Sequence, residues 1–489
     1  MLAPVLEEVA DLEALYVWAL VQDRKGNLYA GTGNEGKIFK IDSKGNVSLL
    51  FDSPEVGIHS LALDRKGNLL AGSSPDGIVY RITPKGEAST FCHTGERYIW
   101  ALAFGPDGAL YAATGDQGNL LKISPEGTSE EFFNSTDDHI MCLLIDEKGF
   151  LYAGSAGSGL IYRITPEGKG RVLYDAPEKE IHVLAFGSDG ALYAGAMSGS
   201  ERGNPSEKRP STPSPKVVPT PSPVEGCALY RIHGDAVRKV WRSEHPLLLS
   251  LLVRSSPSGE RILVGTGKEG MLYAVDPEGT WSTLAKLEEA QPLSMLSAEE
   301  GVFIGAGDIG RVHRLTPSYA KQGTFESQVH DATIISRWGT MSIRAEVPEG
   351  SWIALATRSG NTERPDDTWS DWVAPVASSE PSGEQVQSPP ARFIQYRATL
   401  TTSVETVTPV LQEVAIAGLQ TNLRPKITSV TCSPFAAPRV EVGKSEEEKA
   451  EGSALREALK VRLPQTMKRS LKRVRWRAQD PNKDRLIYT

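Results

Sequence analysis

The chain has 489 residues, which is more than one ordinary hydrophobic core holds, so two or three domains are predicted. Its net charge of −8 argues against nucleic-acid binding through bulk electrostatics, because phosphate binding needs a basic surface. No stretch reaches the ~18 apolar residues of a membrane span. The four cysteines form no CxxC pair, so neither a zinc site nor a disulfide framework is predicted, and we expect no cofactor.

An internal repeat organises the first part of the chain. Five copies of a segment like Gly-Asn-Leu-Tyr-Ala-Gly start 41 residues apart, at Gly26, Gly67, Gly108, Gly149 and Gly190. Two degenerate copies follow at 262–265 and 302–305. Each copy contains four short apolar stretches separated by glycine turns, the pattern of a propeller blade. The fold class is therefore all-β, with a seven-bladed β-propeller over residues 1–317.

The two ends of this ring are predicted to meet in one blade. The last copy supplies three strands and ends near 311–315, whereas the residues before Trp18 form a strand with no blade of its own. We predict that this first strand completes the last blade, which removes an open sheet edge.

The fifth blade is interrupted between its second and third strands by the Pro/Ser-rich segment 198–226. Such a composition cannot build a core, so a disordered or extended loop is predicted. We expect this loop to overhang the face on which the innermost strands begin.

The repeats resemble those of the bacterial WD40-like propellers, close to the NHL and gluconolactonase types. Segments 107–112 and 161–168 carry the resemblance, whereas the Gly-His and Trp-Asp dipeptides of true WD40 blades are absent. The resemblance is specific for fold and not for function. Lactonases of similar fold hold a divalent cation with a Glu/Asn/Asp set, but the matching positions here are mainly apolar. That activity and its metal are therefore not carried over.

Residues 323–420 are predicted to form a β-sandwich. Segments 358–372 and 393–397 resemble jelly-roll modules that follow bacterial propellers and are similar to galactose-binding-like sandwiches, many of which bind glycans. This resemblance makes Trp369 and Trp372 secondary candidates for ligand contact. Packing at a sheet edge explains the same two tryptophans equally well.

The remaining chain is predicted as a linker over 421–470 and the start of a fibronectin-III-like module over 471–489. Basic and apolar residues alternate over 473–478, which is typical of a half-buried strand. We expect this module to be truncated. The start of the chain shows no signal peptide, and the sequence leaves the cellular compartment undecided. If the N-terminus is truncated, an exported or periplasmic protein is consistent with the sequence.

One repeat position varies among large side chains. Eight residues before the first glycine of each copy stand Trp18, His59, Trp100, Met141 and His182, with Leu249 and Leu293 completing the set by a looser alignment. We predict that these residues surround the mouth of the central channel. Aromatic rings there could stack on sugars or anchor a peptide. The alternative is that they plug the channel or pack between blades, as aromatic residues commonly do.

These observations favour a non-catalytic binding or scaffolding protein. We expect a monomer that meets a protein or polysaccharide partner through this face of the propeller. No nucleophile motif accompanies His59 or His182 and no acid–base partner is evident, so no catalytic residue is predicted. The alternative is a propeller enzyme that acts on a sugar or lactone at the central channel.

Overall fold

A computed structural model describes residues 1–198, 226–256, 259–373, 376–377, 384–421, 424–434 and 472–479. All regular structure within these ranges is β-strand. None of the described residues forms a helix long and apolar enough to cross a membrane. The chain divides into two compact units, of which one comprises residues 2–321 and 404–407. The other comprises residue 1 with 322–403 and 408–489.

The first unit contains seven antiparallel blades of four strands each. Blade 1 is β2 (Tyr16–Gln22), β3 (Leu28–Gly33), β4 (Lys37–Ile41) and β5 (Val47–Asp52). Blade 2 is β6 (Gly57–Leu63), β7 (Leu69–Ser74), β8 (Ile78–Ile82) and β9 (Ala88–His93). Blade 3 is β10 (Tyr98–Phe104), β11 (Leu110–Gly115), β12 (Asn119–Ile123) and β13 (Ser129–Asn134). Blade 4 is β14 (His139–Ile145), β15 (Leu151–Ala156), β16 (Leu160–Ile164) and β17 (Gly170–Asp175).

The other three blades follow the same order. Blade 5 is β18 (Glu180–Phe186), β19 (Leu192–Met197), β20 (Cys227–His233) and β21 (Ala236–Ser243). Blade 6 is β22 (Leu248–Ser256), β23 (Gly259–Thr266), β24 (Met271–Val275) and β25 (Trp281–Lys286). Blade 7 is β26 (Gln291–Ala298), β27 (Gly301–Gly307), β28 (Arg311–Tyr319) and, from the start of the chain, β1 (Pro4–Asp11).

The glycine turns of the repeat have a defined local cause. Asp23 accepts hydrogen bonds from the backbone N–H groups of Lys25 and Asn27 at 2.8 and 2.9 Å, and Gly26 takes a φ of +81°. An aspartate that bonds its own downstream backbone, followed by a residue with positive φ, reverses a strand tightly. The turn places β3 beside β2, and every residue of β3 is buried.

Adjacent blades touch at the last residue of the repeated segment, which is glycine in every regular copy except the third, where it is Ala113. A Cβ atom on Gly72 would lie 2.5 Å from Cγ2 of Ile99 on the next innermost strand and 2.5 Å from Oγ of Ser60. Such distances allow no side chain larger than hydrogen. Ser60 donates across the same interface to the carbonyl of Ile99 at 3.3 Å. Cys142 repeats this contact with the carbonyl of Ile181 at 3.5 Å, and burial raises the pKa of its thiol.

The ring closes as predicted. β1 pairs with β28 from Pro4 opposite Tyr319 to Asp11 opposite Arg311. The innermost strand of each blade contacts that of the next, including β26 of blade 7 with β2 of blade 1. The sequence prediction of a seven-bladed propeller completed by the first strand is therefore confirmed.

The second unit contains a β-sandwich. Its strands are β29 (Gln322–Glu326), β30 (His330–Glu346), β31 (Ser351–Gly360), β32 (Val376–Ala377), β33 (Glu384–Gln385), β34 (Ala391–Thr402) and β35 (Val410–Gln420). β34 lies between β29 and β31, whereas β30 lies between β33 and β35. The start of β30 also pairs with β34. A break in register near Thr333, which has a φ of +68°, separates this pairing from the pairing of β30 with β35.

The predicted strand at 473–478 is present, and part of the predicted linker is its partner. β36 (Lys426–Pro434) pairs with β37 (Lys472–Gln479), so residues 426–434 are strand and not linker. Period-two alternation sets Val430 opposite Trp476 on one side of this hairpin. Of the predicted loop 198–226, only the first and last residues are described. Residues 435–471 and 480–489 also lie outside the described ranges.

Closure of the ring can be tested at Leu12. Its side chain is 1% exposed and packs with Phe303 and Val312 of blade 7 and with Val17 of blade 1. We expect Leu12→Ala to lower the free energy of unfolding by about 2–5 kcal/mol, because a buried cavity forms at the junction. Leu49→Ala, at a side chain that is 52% exposed on β5, should change it by less than about 0.5 kcal/mol. Urea denaturation measures both, and equal effects would contradict the closure.

Candidate functional site

The seven variable positions share one backbone irregularity. In every blade the pairing between the innermost and second strand skips one residue, and the skipped residues are Trp18, His59, Trp100, Met141, His182, Leu249 and Leu293. We call this set the channel ring. A β-bulge of this kind re-aims a side chain away from the regular ladder. The residue before the bulge stays in the core: Val17, Ile58 and Ile99 are completely buried.

Aromatic side chains form a continuous arc over blades 1 to 3. The ring centroids of Trp18 and His59 are 5.6 Å apart, and those of His59 and Trp100 are 4.8 Å apart. Tyr16 stacks on Trp18 at 5.3 Å, and Tyr98 stacks on Trp100 at 4.9 Å with an interplanar angle of 4°. We call these five residues the aromatic arc. All five are partly exposed.

Small residues make room for the arc. In blades 1 to 5 the second strand ends fifteen positions after the bulge, and there Gly33 faces Trp18 while Gly115 faces Trp100. A Cβ atom on Gly33 would lie 2.3 Å from Trp18 Nε1, and one on Gly115 would lie 2.4 Å from Trp100 Nε1. A larger residue at either position would therefore displace the indole. Behind His59 the same position is a serine, Ser74, whose Oγ is 2.7 Å from His59 Nε2.

Blades 4 and 5 carry polar groups at the same end of their innermost strands. Trp100 Nε1 donates to His139 Nδ1 at 3.3 Å. In blade 5, Nδ1 of His182 lies 2.7 Å from Oε1 of Glu180, and the two side chains are 21% and 20% exposed. The structure thus gives His182 the acidic partner that the sequence analysis did not find. Leu249 and Leu293 are each 8% exposed, so blades 6 and 7 add buried aliphatic groups.

His59 is held in its neutral form. Burial among the neighbouring rings lowers its pKa from 6.5 to about 4. At neutral pH the imidazole therefore contributes an apolar face and a hydrogen bond to Ser74, and no charge. No group of three or more potential metal-ligating side chains occurs in the described part of the chain.

A second repeated feature supports the site and was missed by the sequence analysis. An acidic residue stands two positions before five of the innermost strands: Glu55, Glu96, Asp137, Glu178 and Glu289. All five are at most 9% exposed. Glu178 accepts hydrogen bonds from the Tyr230 hydroxyl at 2.8 Å and from Lys239 Nζ at 3.2 Å. The first four recur every 41 residues, so the alignment of the repeats that identified the channel ring also contained these acids.

These buried acids fix the segment that enters the channel ring. Glu55 accepts the backbone N–H of Asp76 at 3.0 Å, and Glu96 accepts Asn119 Nδ2 at 2.6 Å. In each case the partner belongs to the blade that the acid precedes: Asp76 lies in the turn between β7 and β8, and Asn119 begins β12. Tyr98 follows Glu96 by two residues. The bonds therefore position the first residue of the innermost strand.

The two candidate tryptophans of the sandwich differ in accessibility. Trp369 is 8% exposed, fits against Gly360 and donates its Nε1–H to Thr362 Oγ1 at 2.9 Å. Trp372 is partly exposed, and the guanidinium groups of Arg358 and Arg397 lie 4.5 and 4.2 Å from its ring centroid. Both tryptophans therefore have extensive contacts within the protein.

Comparison with solved structures supports the fold. Selenomethionine-substituted virginiamycin B lyase from Staphylococcus aureus aligns with 64% of this chain and 99% of its own, with a TM-score of 0.50 and 13% identity. A catalytically inactive variant of that lyase with quinupristin aligns with a TM-score of 0.52 at 13% identity over the same shares of both chains. A streptogramin B lyase has a TM-score of 0.50 at 14% identity, covering 63% and 96%. No protein-family model and no curated protein matches the chain. At such low identity these structures bear on the fold alone, which is that of a β-propeller.

The neutral state of His59 gives a pH-dependent prediction. The unfolded chain takes up a proton at this residue near pH 6.5, and the folded protein does so only near pH 4. Its contribution to stability is therefore complete above pH 6.5 and is lost as the pH falls towards 4. Between pH 7.5 and pH 5 we expect the free energy of unfolding to fall by about 2 kcal/mol more in the parent than in His59→Gln.

Chemical denaturation at the two pH values measures this difference. His93→Gln is the matched control, because His93 is exposed on β9. The control should keep the pH dependence of the parent. If His59→Gln keeps it as well, then His59 is not held neutral by the fold.

Proposed function

We propose that the chain is a non-catalytic binding protein that holds a protein or polysaccharide partner at the channel ring. The aromatic arc carries this proposal. It presents five partly exposed rings side by side, each with a polar atom, and Trp100 continues it to the imidazole of His139 in blade 4. Apolar area combined with polar atoms is what stacking on a sugar or anchoring a peptide requires.

The arc is also rigid before any ligand arrives. Trp18 and Trp100 stand on backbone bulges, each stacks on a tyrosine, and each indole lies against a glycine. A ring that is already ordered loses little conformational entropy on binding. Large aromatic residues in such positions carry much of the energy at binding surfaces. The arrangement therefore favours recognition of a partner through its shape and apolar area.

A titration tests this function. The full chain is titrated with a panel of bacterial and plant polysaccharides while tryptophan fluorescence is followed. We expect a saturable change for at least one polysaccharide, and a loss of affinity of about 30-fold or more in the Trp18→Ala/Trp100→Ala variant, as for aromatic hot spots. Trp281→Ala is the matched control because this tryptophan is 55% exposed on β25, and it should bind as the parent does.

Other results would change the assignment. Unchanged affinity in the double variant, with a native thermal unfolding transition, would remove the arc from the binding site. The absence of a saturable signal with every polysaccharide would leave a protein partner as the remaining form of the proposal. An immobilised chain with and without the double substitution then tests for binding of a purified candidate protein.

A second candidate function is an enzyme that acts on a sugar or lactone at the central channel. The observation in its favour is the pair formed by His182 and Glu180, whose Nδ1 and Oε1 atoms are 2.7 Å apart. A carboxylate bonded to one imidazole nitrogen fixes the orientation of the ring and leaves the other nitrogen for proton transfer. His182 belongs to the channel ring and lies two blades beyond Trp100, at the end of the ring where the aromatic arc has given way to other side chains.

Substitution of Glu180 distinguishes the two functions. Under the enzyme hypothesis the parent hydrolyses at least one member of a panel of sugar lactones, and Glu180→Gln lowers that rate by about 10²–10⁴-fold. His233→Gln, at an exposed histidine on β20, should leave the rate unchanged. A parent rate equal to that of buffer, or an equal rate in Glu180→Gln, would rule out catalysis by this pair on these substrates.

A further inference from the structure

A cavity of about 320 Å³ lies between blades 2 and 3. Leu63 and Phe104, which end β6 and β10, both line it, so it lies at the opposite end of the innermost strands from the bulges. Leu70 and Phe91 add apolar surface, and Asp64 and Arg81 add charged groups. Its size falls within the range of small-molecule sites, ~300–1,000 Å³.

One substitution within the repeat explains why the cavity is found in this blade. The fourth residue of the repeated segment is tyrosine in the other four regular copies, namely Tyr29, Tyr111, Tyr152 and Tyr193. In blade 2 the same position holds Leu70. Leu70 is 1% exposed and lies at the interface with blade 3, as Tyr29 lies at the interface between blades 1 and 2. A leucine side chain leaves unfilled the volume that a phenol ring fills elsewhere.

The other blades show what surrounds such a phenol. Tyr29 donates its hydroxyl to Asp23 Oδ2 at 3.0 Å, and Tyr152 donates to Asp146 Oδ2 at 3.4 Å. In blade 3 the ring of Tyr111 meets that of Phe132 edge to face, with centroids 5.1 Å apart. A carboxylate thus meets the phenol hydroxyl in blades 1 and 4, and an aromatic ring meets the phenol edge to face in blade 3.

Blade 2 combines a partner of each kind although it lacks the tyrosine. Asp64 occupies the position of Asp23, and Phe91 occupies that of Phe132. Asp64 Oδ2 accepts Asn68 Nδ2 at 2.7 Å, whereas Asp23 Oδ2 accepts both Asn27 Nδ2 at 2.7 Å and the tyrosine hydroxyl. The guanidinium of Arg81 lies 3.8 Å from the Phe91 centroid.

We propose that this cavity binds a para-substituted phenol. The ring enters over Leu70, contacts Phe91, and donates its hydroxyl proton in a hydrogen bond to Asp64. The ligand thus takes the place that the repeat's own tyrosine fills in four other blades. Two sources carry this chemistry, a free small phenol and the tyrosine side chain of a peptide. The site is separate from the channel ring and does not depend on the function proposed for it.

Calorimetric titration of the full chain tests the site with p-cresol as the small phenol and N-acetyl-tyrosinamide as the tyrosine side chain. We expect a dissociation constant of about 1 mM or tighter for at least one of them. 4-Methylanisole and N-acetyl-phenylalaninamide, which lack the hydroxyl donor, should bind about tenfold more weakly. Tighter binding of p-cresol identifies a small phenol as the ligand, and tighter binding of N-acetyl-tyrosinamide identifies a tyrosine. Failure of both to saturate up to about 10 mM would overturn the proposal.

Two variants locate the binding. Leu70→Tyr restores the residue of the repeat and should abolish it by filling the cavity. Asp64→Asn keeps the turn oxygen but replaces the charged acceptor, so the affinity for the phenol should fall about tenfold. Asp146→Asn is the matched control, since it alters the same turn in blade 4, where Tyr152 fills the position. Unchanged affinity in Asp64→Asn, or equal losses in both aspartate variants, would place binding elsewhere, even if Leu70→Tyr does not fold.

Discussion

A close contact that recurs between neighbouring blades sets the geometry of the ring. At this contact the second strand of one blade has no side chain, as at Gly72, and an isoleucine of the next innermost strand, Ile99, fills the space. Close packing of a β-branched side chain on bare backbone leaves little freedom for one blade to shift against the next. Because each innermost strand contacts two others in a closed circle, a displacement at one interface would have to be accommodated at all of them.

In this closed ring the residue at the bulge position differs between blades while the fold stays the same. The bulge lifts a single residue out of the ladder in each blade, while its predecessor remains in the core. Tryptophan, histidine, methionine and leucine therefore occupy equivalent positions on an unchanged backbone. The end of the second strand adapts in turn, with Gly33 behind Trp18 and Ser74 behind His59. Function in this propeller would thus change through pairs of positions fifteen residues apart, and not through changes of architecture.

The sequence contained most of the fold because the repeat is periodic. Glycines every 41 residues mark the blades. The first strand belongs to no repeat, which indicates that it completes the last blade and closes the ring. The channel ring could be aligned for the same reason, whereas the stacking of Tyr98 on Trp100 depends on side-chain directions that a period does not encode. The pair of His182 and Glu180 was overlooked because a two-residue separation in a regular strand does not indicate whether a bulge brings the side chains together. Segment 421–470 was predicted to be a linker from its composition. The strand at Lys426–Pro434 was missed because its pairing partner, β37, lies far along the chain.

The closure by β1 also bears on where the chain of this propeller can be cut and rejoined. Pro4 and Tyr319 are paired neighbours, so a short connection between them would replace the break that lies in blade 7. In blade 5, Met197 and Cys227 are likewise paired, at the ends of two strands separated in sequence by residues 198–226. Paired residues lie ~4.5–5.5 Å apart whatever the length of chain between them. Circular permutation with new termini at 198–226 would thus join all strands of blade 7 in sequence and move the divided blade from blade 7 to blade 5.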